Sequence, residues 1–421
     1  MKKVKIFYIL LIFLFIASIL TTVIKPYAQK PAKDILIGIA PDMTGLYGQI
    51  ESLRAVQDYF SWVNETGYIP GVNLKMIWTD TGGNLEKGLA FFRREKEVGC
   101  LLVQHATTGE NVALKKLLEE AKIAGFSQSV TEEPLFEPPS WNFSGIIGTK
   151  MMGNIFLHAV KKDWPKRGKS RPPVVGTLVW DNIIGKVGSR YIKENYERFG
   201  FKFGVETLMS PTAMEFGSQM RALRDANCDY VYIMTASSQT GAIVKTRYEM
   251  GLKDMRIIFC GYATCEGAWG GMCDLPSEIL QGVGILNYVG EPNEAEKAGN
   301  WLLKRAVEAY KKSHGEEMPW RKAGDYLMHY ALQYQAVEAI KDAVTKVGSE
   351  KVTSADIKYA LENLKRKDVG GLFGGCDFTE YPGDRLGMTH ARYCDIVAAP
   401  GGAIRVPTTD WIYCDYRPPT K

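Results

Sequence analysis

The sequence lacks the short motifs that mark the common catalytic sites of α/β proteins. It has no GxGxxG after its first apolar run, no GxxxxGK[ST], no GxSxG and no HExxH. These motifs serve dinucleotide binding, phosphate binding, acyl transfer and zinc hydrolysis, respectively. The five histidines are scattered, and the cysteines do not have the spacing of zinc ligands. We therefore predict no metal site, no cofactor and no catalytic residue, and expect that the protein is not an enzyme.

Clustered positive charge is also scarce. The only basic runs are KKDWPKRGKSR (161–171) and KRK (365–367), which are more typical of solvated helix ends and loops than of a nucleic-acid surface. Much of the formal net charge of +5 lies at the N-terminus, because removal of residues 1–28 takes away four lysines and no acidic residue and leaves +1. We predict no nucleic-acid partner.

The N-terminus predicts an export signal. Residues 1–5 are basic, and residues 6–20 are apolar except for Ser18. This run has the length of a signal-peptide core and is shorter than the roughly 20 residues that a spanning helix needs. We predict that residues 1–28 form a cleaved signal peptide and that the mature protein is periplasmic or otherwise extracytoplasmic. An uncleaved membrane anchor is the alternative, whereas a lipid anchor is excluded because no cysteine precedes Cys100.

The sequence does contain a repeated alternation of short apolar strands and amphipathic helices. With 46% hydrophobic and 24% charged residues in 421 positions, the composition is that of a globular protein of about two domains. The alternation predicts an α/β fold of two lobes, each a doubly wound parallel sheet flanked by helices. Strands are predicted at 34–40, 74–78, 174–180, 203–208, 230–234 and 256–260, and later helices at 294–312, 326–347 and 354–364.

The stretch 101–134 indicates a binding cleft. It consists of an apolar strand, the turn Thr107-Thr108-Gly109, a helix and a second strand that ends in Ser129-Val130-Thr131. The carboxyl ends of parallel strands form the ligand crevice of open α/β sheets, and helix N-termini there offer free N–H groups to an anion. These hydroxyls could hold the carboxylate of a small molecule. The alternative is that they only cap helices.

The order of several motifs resembles the periplasmic substrate-binding proteins of ABC importers, of the branched-chain amino acid type. The resemblance covers nearly the whole mature chain. It rests on the order and spacing of the set, since each motif alone is weak. The motifs are MTGLYG (43–48), VNETG (63–67), DTGGN (80–84), TTG (107–109), WDNIIG (180–185), YQA (334–336), GGCDF (374–378) and GDR (383–385).

The resemblance implies a type I periplasmic-binding-protein fold whose chain crosses between the lobes three times. Lobe 1 would comprise residues 34–149 and 288–369, and lobe 2 residues 150–287 and 370–421. The lobes would close around a small carboxylate-bearing solute, either an amino acid or an aromatic or aliphatic acid. The partner would be the membrane permease of the importer, and we expect a monomer.

The resemblance also implies which residues contact the solute. The Thr107-Thr108 turn would bind its polar head together with Ser129 and Thr131, and Tyr47 would form an aromatic wall or simply pack the first loop. The sequence departs from amino-acid binders at Ile184, where tyrosine is usual. It also lacks the acidic residue at the expected place that would pair with the ammonium of the solute. Glu266 could take that role, and the alternative is that it is a solvated loop residue. The predicted ligand-binding set is Tyr47, Thr107, Thr108, Ser129, Thr131, Ile184, Ser237, Tyr262 and Glu266.

Eight cysteines in an exported protein predict disulfides. Cys100 and Cys228 begin apolar strands and are expected as buried thiols. The other six would allow three bridges, of which Cys394–Cys414 is favoured because the two residues flank an expected hairpin.

Two other functions remain possible on sequence grounds. A doubly wound fold also suits an exported α/β enzyme, with Asp42, Asp80 and Asp181 at strand ends, although such residues usually cap helices. A ligand-sensing module for a signalling partner is the other alternative, and it would need a membrane span and a signalling domain that are absent from this sequence.

Overall fold

A computed structural model describes residues 32–128, 131–132, 140–236, 238–379 and 385–414. The first lobe is built on a five-stranded parallel sheet in the order β2-β1-β3-β4-β5. Its strands are β1 (Lys33–Ala40), β2 (Val72–Trp78), β3 (Leu102–His105), β4 (Ala124–Ser127) and β5 (Asn142–Ser144).

The second lobe is built on a larger mixed sheet in the order β14-β13-β10-β9-β8-β6-β7, and β15 pairs with β13. Strands β6 to β10 are parallel, whereas β13, β14 and β15 pair antiparallel at one edge. A small separate pair is formed by β11 (Lys365–Arg366) and β12 (Cys376–Asp377). The strands of the larger sheet are β6 (Val174–Trp180), β7 (Lys202–Met209), β8 (Tyr230–Met234), β9 (Arg256–Phe259), β10 (Val283–Asn287), β13 (His390–Ala399), β14 (Gly402–Pro407) and β15 (Ile412–Tyr413).

Helices connect the strands and cover the faces of both sheets, as the alternation predicts. They are α1 (Ile50–Thr66), α2 (Leu85–Val98), α3 (Thr108–Ala121), α4 (Thr149–Asp163), α5 (Ile183–Asn195), α6 (Gly217–Asp225), α7 (Gln239–Glu249), α8 (Glu266–Cys273), α9 (Ser277–Leu280), α10 (Trp301–His314), α11 (Trp320–Val347) and α12 (Ser354–Glu362). Among the described helices, none is long and apolar enough to cross a membrane. The predicted signal peptide, residues 1–28, lies outside the described residues.

The strands are nearly continuous apolar runs because helices cover both faces of each parallel sheet. All five residues of β8 are buried, as are six of the seven in β6.

Local signals set the helix ends. Asn84 caps α2 through a bond from Lys87 N–H, and Gly99 ends it in a left-handed conformation that glycine adopts at little cost. The α/β fold with parallel sheets is therefore confirmed.

Three segments of the chain run side by side between the two sheets. The N–H of Gly290 donates to the carbonyl of Leu372 at 2.7 Å, and the N–H of Ser144 donates to the carbonyl of Arg385 at 2.7 Å. These contacts join the end of β5, the chain after β10 and the chain on either side of β12, close to the three predicted crossings between the lobes. The exact lobe boundaries at 149/150, 287/288 and 369/370 remain predictions.

The predicted disulfides are wrong. All eight cysteines are buried free thiols. Cys414 N–H donates to the carbonyl of Thr389, five residues along the chain from Cys394. At about 3.3 Å per residue this places the two cysteines roughly 16 Å apart along β13, beyond the reach of a disulfide. In the hairpin of β13 and β14, which turns between Ala399 and Gly402, Cys394 lies opposite Pro407 and not opposite Cys414.

Two other local predictions also need correction. The helix predicted at 294–312 begins at Trp301, and a short 3₁₀ turn, Pro292–Glu294, precedes it. Glu266, expected in a loop, is the first residue of α8, and a 3₁₀ turn, Gly261–Thr264, precedes this helix.

Candidate functional site

A cavity lies between the two lobes where the strand order of each sheet reverses. In lobe 1 this point falls between β1 and β3, and in lobe 2 between β6 and β8. The loops that follow these four strands face the cavity, as the general rule for open α/β sheets predicts. The described residues that line it are Tyr47, Gln49, Ala106, Thr108, Gln128, Ile146, Trp180, Ile184, Met234, Ala236, Tyr262, Cys265 and Met328.

The space within the cavity that no atom fills is about 390 Å³, part of it open to solvent. Side chains of the two lobes meet across it, since Nε2 of Gln49 lies 3.6 Å from the sulfur of Cys265. The lobes are therefore close together in this structure, and a solute enters only if they separate.

The wall from lobe 1 depends on two ordered loops. Asp42, which is buried, accepts a hydrogen bond from the N–H of Tyr47 at 3.2 Å and so fixes the loop after β1. Thr107 is the N-cap of α3: its hydroxyl accepts from the N–H of Glu110 at 3.3 Å, and the Glu110 carboxylate returns to the N–H of Thr107. Thr108, the first residue of this helix, faces the cavity.

A buried charge cluster lies beneath this turn. His105 Nε2 is 3.0 Å from a carboxylate oxygen of Glu95, and its Nδ1 is 3.8 Å from a carboxylate oxygen of Glu110. All three side chains are at most 1% exposed. Burial alone would lower the pKa of His105, but the charge of Glu95 and the contacts with both carboxylates outweigh it and raise that pKa to about 9. His105 is therefore charged at neutral pH and pairs with Glu110, whose carboxylate completes the capping box of α3.

A polar part of the wall is formed by amides. Gln49 is 3% exposed, and its Nε2 donates to Oε1 of Gln128 at 3.0 Å and to the sulfur of Cys265 at 3.6 Å. Its Oε1 has no hydrogen-bond partner among the described residues. Because Cys265 belongs to lobe 2, Gln49 also connects the two lobes.

The wall from lobe 2 is mainly aromatic and aliphatic. Trp180 is buried, and its indole N–H donates to Oε1 of Gln239 at 2.7 Å, which fixes the ring. Ile184, four residues after Trp180, lies in the first turn of α5. The hydroxyl of Tyr262 donates to the carbonyl of Ile147 at 2.5 Å and connects lobe 2 to the segment before α4. Burial raises the pKa of Tyr262, so this hydroxyl stays protonated.

The structure brings four of the nine predicted residues to the cavity: Tyr47, Thr108, Ile184 and Tyr262. Thr107 and Thr131 are buried beside it but do not line it, and the Thr131 hydroxyl has no partner among the described residues. Glu266 begins α8 and is also not a lining residue. Ser129 and Ser237 lie outside the described residues.

Sequence reasoning missed several lining residues, of which Gln49, Trp180 and Cys265 are the most distinctive. Trp180 could have been found, because it ends a strand whose carboxyl end was expected at the cleft. Sequence reasoning also missed Asp325 in α11. Its side chain is fully buried, and its Oδ1 lies 3.3 Å from Nδ1 of His329. Both carboxylate oxygens of Asp325 are buried and lack a hydrogen-bond partner among the described residues, and its charge, after burial, raises the pKa of Cys265 in the cavity wall. No described group of three or more His, Cys, Asp or Glu is arranged to hold a metal ion.

Comparison with known proteins identifies the family. The family described as periplasmic binding protein matches residues 34–390. The chain belongs to the periplasmic binding protein family. It is therefore a solute-binding protein, and the resemblance inferred from its motifs is confirmed. No curated protein matches it.

Solved structures share the fold at low sequence identity. A branched-chain amino acid ABC transporter protein from Thermus thermophilus with bound valine has a TM-score of 0.75 and 18% identity, covering 92% of this chain and 98% of that one. A fatty acid ABC transporter substrate-binding protein from Thermomonospora curvata has a TM-score of 0.71 and 18% identity, and the match covers 93% of this chain and 96% of that one. A solute-binding protein from Rhodopseudomonas palustris in complex with 3,4-dihydroxybenzoic acid has a TM-score of 0.68 and 17% identity, and the match covers 90% of this chain and 98% of that one.

Proposed function

We propose that this protein is the extracytoplasmic receptor of an ABC importer and that its lobes close around a small carboxylate-bearing solute. The observation that carries the proposal is the cavity between the lobes, lined from the loops at both switch points of the sheets. A ligand held from both sides stabilises the closed arrangement, since it binds that form better than the open one. Binding proteins with bound valine or dihydroxybenzoate share this fold.

The carboxylate would bind at the N-terminus of α3. Thr108 faces the cavity there, and the helix dipole favours an anion. Thr107 would act through the cap that positions Thr108 rather than by direct contact. Ser129 and Thr131 remain candidates for the same polar head, and Ser237 for the lobe 2 side.

The body of the solute would pack against the apolar and aromatic side chains. Tyr47, Trp180, Ile184 and Tyr262 supply this surface. Glu266 remains the candidate partner for an ammonium group, if the solute carries one. Burial, followed by repulsion from Glu51, raises the pKa of Glu266, and a bound ammonium would oppose this shift.

The proposed cellular setting follows from the family and the N-terminal sequence. The mature chain would act as a monomer in the periplasm, or the equivalent space outside the membrane, after loss of residues 1–28. Its protein partner would be the membrane permease of the importer, which would distinguish the closed form from the open one. Its role would be to bind the solute without chemical change.

The proposal is tested by titrating the mature protein with a panel of amino acids and of aromatic and aliphatic acids, followed by melting temperature and calorimetry. A solute that binds only the folded form raises the melting temperature. Thr108→Val should weaken binding about 10-fold or more, because a hydrogen bond to a charged group contributes about 1.5 to 3 kcal/mol.

A matched pair of variants separates capping from binding. Thr107 and Thr353 are both N-caps within capping boxes, but Thr353 belongs to α12, away from the cavity. Replacement of either by alanine should destabilise folding by about 1 kcal/mol. Only Thr107→Ala should also weaken solute binding. Absence of a thermal shift with every acid in the panel would refute the proposed function.

A further inference from the structure

The lining of the cavity carries no fixed charge among the described residues. None of its thirteen members is an aspartate, glutamate, lysine, arginine or histidine. Burial also raises the pKa of Tyr47, Tyr262 and Cys265, so these three remain neutral. An ammonium group enclosed here would lose its hydration and would meet no carboxylate among the described lining residues, and a buried charge without a close partner is strongly unfavourable.

One acceptor in this lining is left without a donor. Oε1 of Gln49 is buried and has no partner among the described residues, while Nε2 of the same amide is already engaged by Gln128 and Cys265. Buried polar atoms nearly always have a hydrogen-bond partner, and a buried acceptor without one destabilises the folded protein. A donor on a bound solute would satisfy it.

We propose that the solute is a hydroxy-substituted carboxylic acid without an ammonium group, and that Gln49 determines this specificity by accepting a hydrogen bond from the hydroxyl. This inference rests on the proposed function and narrows it. The carboxylate is the only charge of the solute and binds at α3. The hydroxyl binds Gln49, and the apolar body packs against Trp180, Ile184 and Met234.

The ligand test compares acids of nearly equal shape. One series is 2-hydroxy-4-methylpentanoate, 4-methylpentanoate and leucine, and the other is 3-(4-hydroxyphenyl)propionate, 3-phenylpropionate and tyrosine. In at least one series, calorimetry should show the hydroxy acid binding about 10-fold more tightly than the acid without the hydroxyl. It should bind at least about 100-fold more tightly than the amino acid, because the ammonium is unpaired.

Variants of Gln49 test the assigned residue. Gln49→Met keeps the length of the side chain but removes the acceptor, and it should reduce the preference for the hydroxyl to within about threefold. Gln49→Glu adds a carboxylate and should shift the preference towards leucine or tyrosine. Gln333→Met is the matched control, because Gln333 pairs with Gln104 as a buried amide that does not line the cavity. It should lower the melting temperature and leave the affinity ratios unchanged.

The outcomes separate this inference from the proposed function. Equal or tighter binding of the amino acids would overturn the inference while the proposed function stands, and it would indicate Glu266 or Asp325 as the counter-charge. An unchanged hydroxyl preference in Gln49→Met would also overturn it. If no acid of either series or of the broader panel binds, both the inference and the proposed function fail.

Discussion

The buried charge cluster of His105, Glu95 and Glu110 predicts a specific dependence of stability on pH. The perturbation is deprotonation of His105, either by raising the pH or by the neutral substitution His105→Gln. In the folded protein its pKa is about 9, whereas its ordinary value is 6.5. The stabilising contribution is therefore complete below pH 6.5 and is lost as the pH rises through 9.

The expected size follows from these two values. The gap between 6.5 and about 9 corresponds to about 3 kcal/mol of unfolding free energy, at about 1.4 kcal/mol per pKa unit. About 2 kcal/mol of this contribution should disappear between pH 7 and 9.5. His105 is fully buried, so screening by solvent does not reduce this figure much.

Urea unfolding of the native protein and of His105→Gln at pH 7, 8, 9 and 9.5 measures this contribution. Other groups also titrate: burial raises the pKa of Glu132 to about 7 and that of Cys228 to about 11. Both proteins share these groups, so the difference between them reports the cluster that His105 forms with Glu95 and Glu110. The native protein should lose about 2 kcal/mol more than the variant over this range. Parallel pH profiles for the two proteins would refute the assignment of a charged His105.

Two further predictions follow from the fold. Gly185→Ala should destabilise the protein and weaken solute binding, because a Cβ there would lie 2.2 Å from the carbonyl oxygen of Trp180, whose side chain lines the cavity. An unchanged melting temperature would contradict this packing. Because each of the eight cysteines is a buried free thiol, a reducing agent should leave the melting temperature unchanged, and a thiol reagent should react with all eight only after unfolding. Fewer than eight reactive thiols in the unfolded protein would show that a disulfide exists.

Much of the fold could be predicted because periodicity reports burial directly. The strands β6 and β8 were predicted at the residues where they occur, since parallel strands covered on both faces are continuous apolar runs. The α8 helix was missed because its sequence, EGAWGGMC, contains three glycines and reads as a loop. Tertiary packing against α7 and α11 stabilises it.

The site was only partly predictable, because the side chains that form a cavity are chosen by packing across lobes. The strand end before α3 located Thr108, and the resemblance to amino-acid binders located Tyr47, Ile184 and Tyr262. Gln49 precedes a helix and has no sequence signal that separates it from a surface glutamine. Cys265 reaches the cavity only because lobe 2 approaches Gln49. The cysteine pairing failed because spacing along the chain does not give distance along a strand.

Small-angle X-ray scattering of the mature protein, with and without a saturating solute from the panel, tests the central claim most directly. If two lobes close around the solute, the bound protein should have a smaller radius of gyration than the free protein and should scatter as a monomer in both states. A solute that binds with one-to-one stoichiometry but leaves the radius of gyration unchanged would contradict the account.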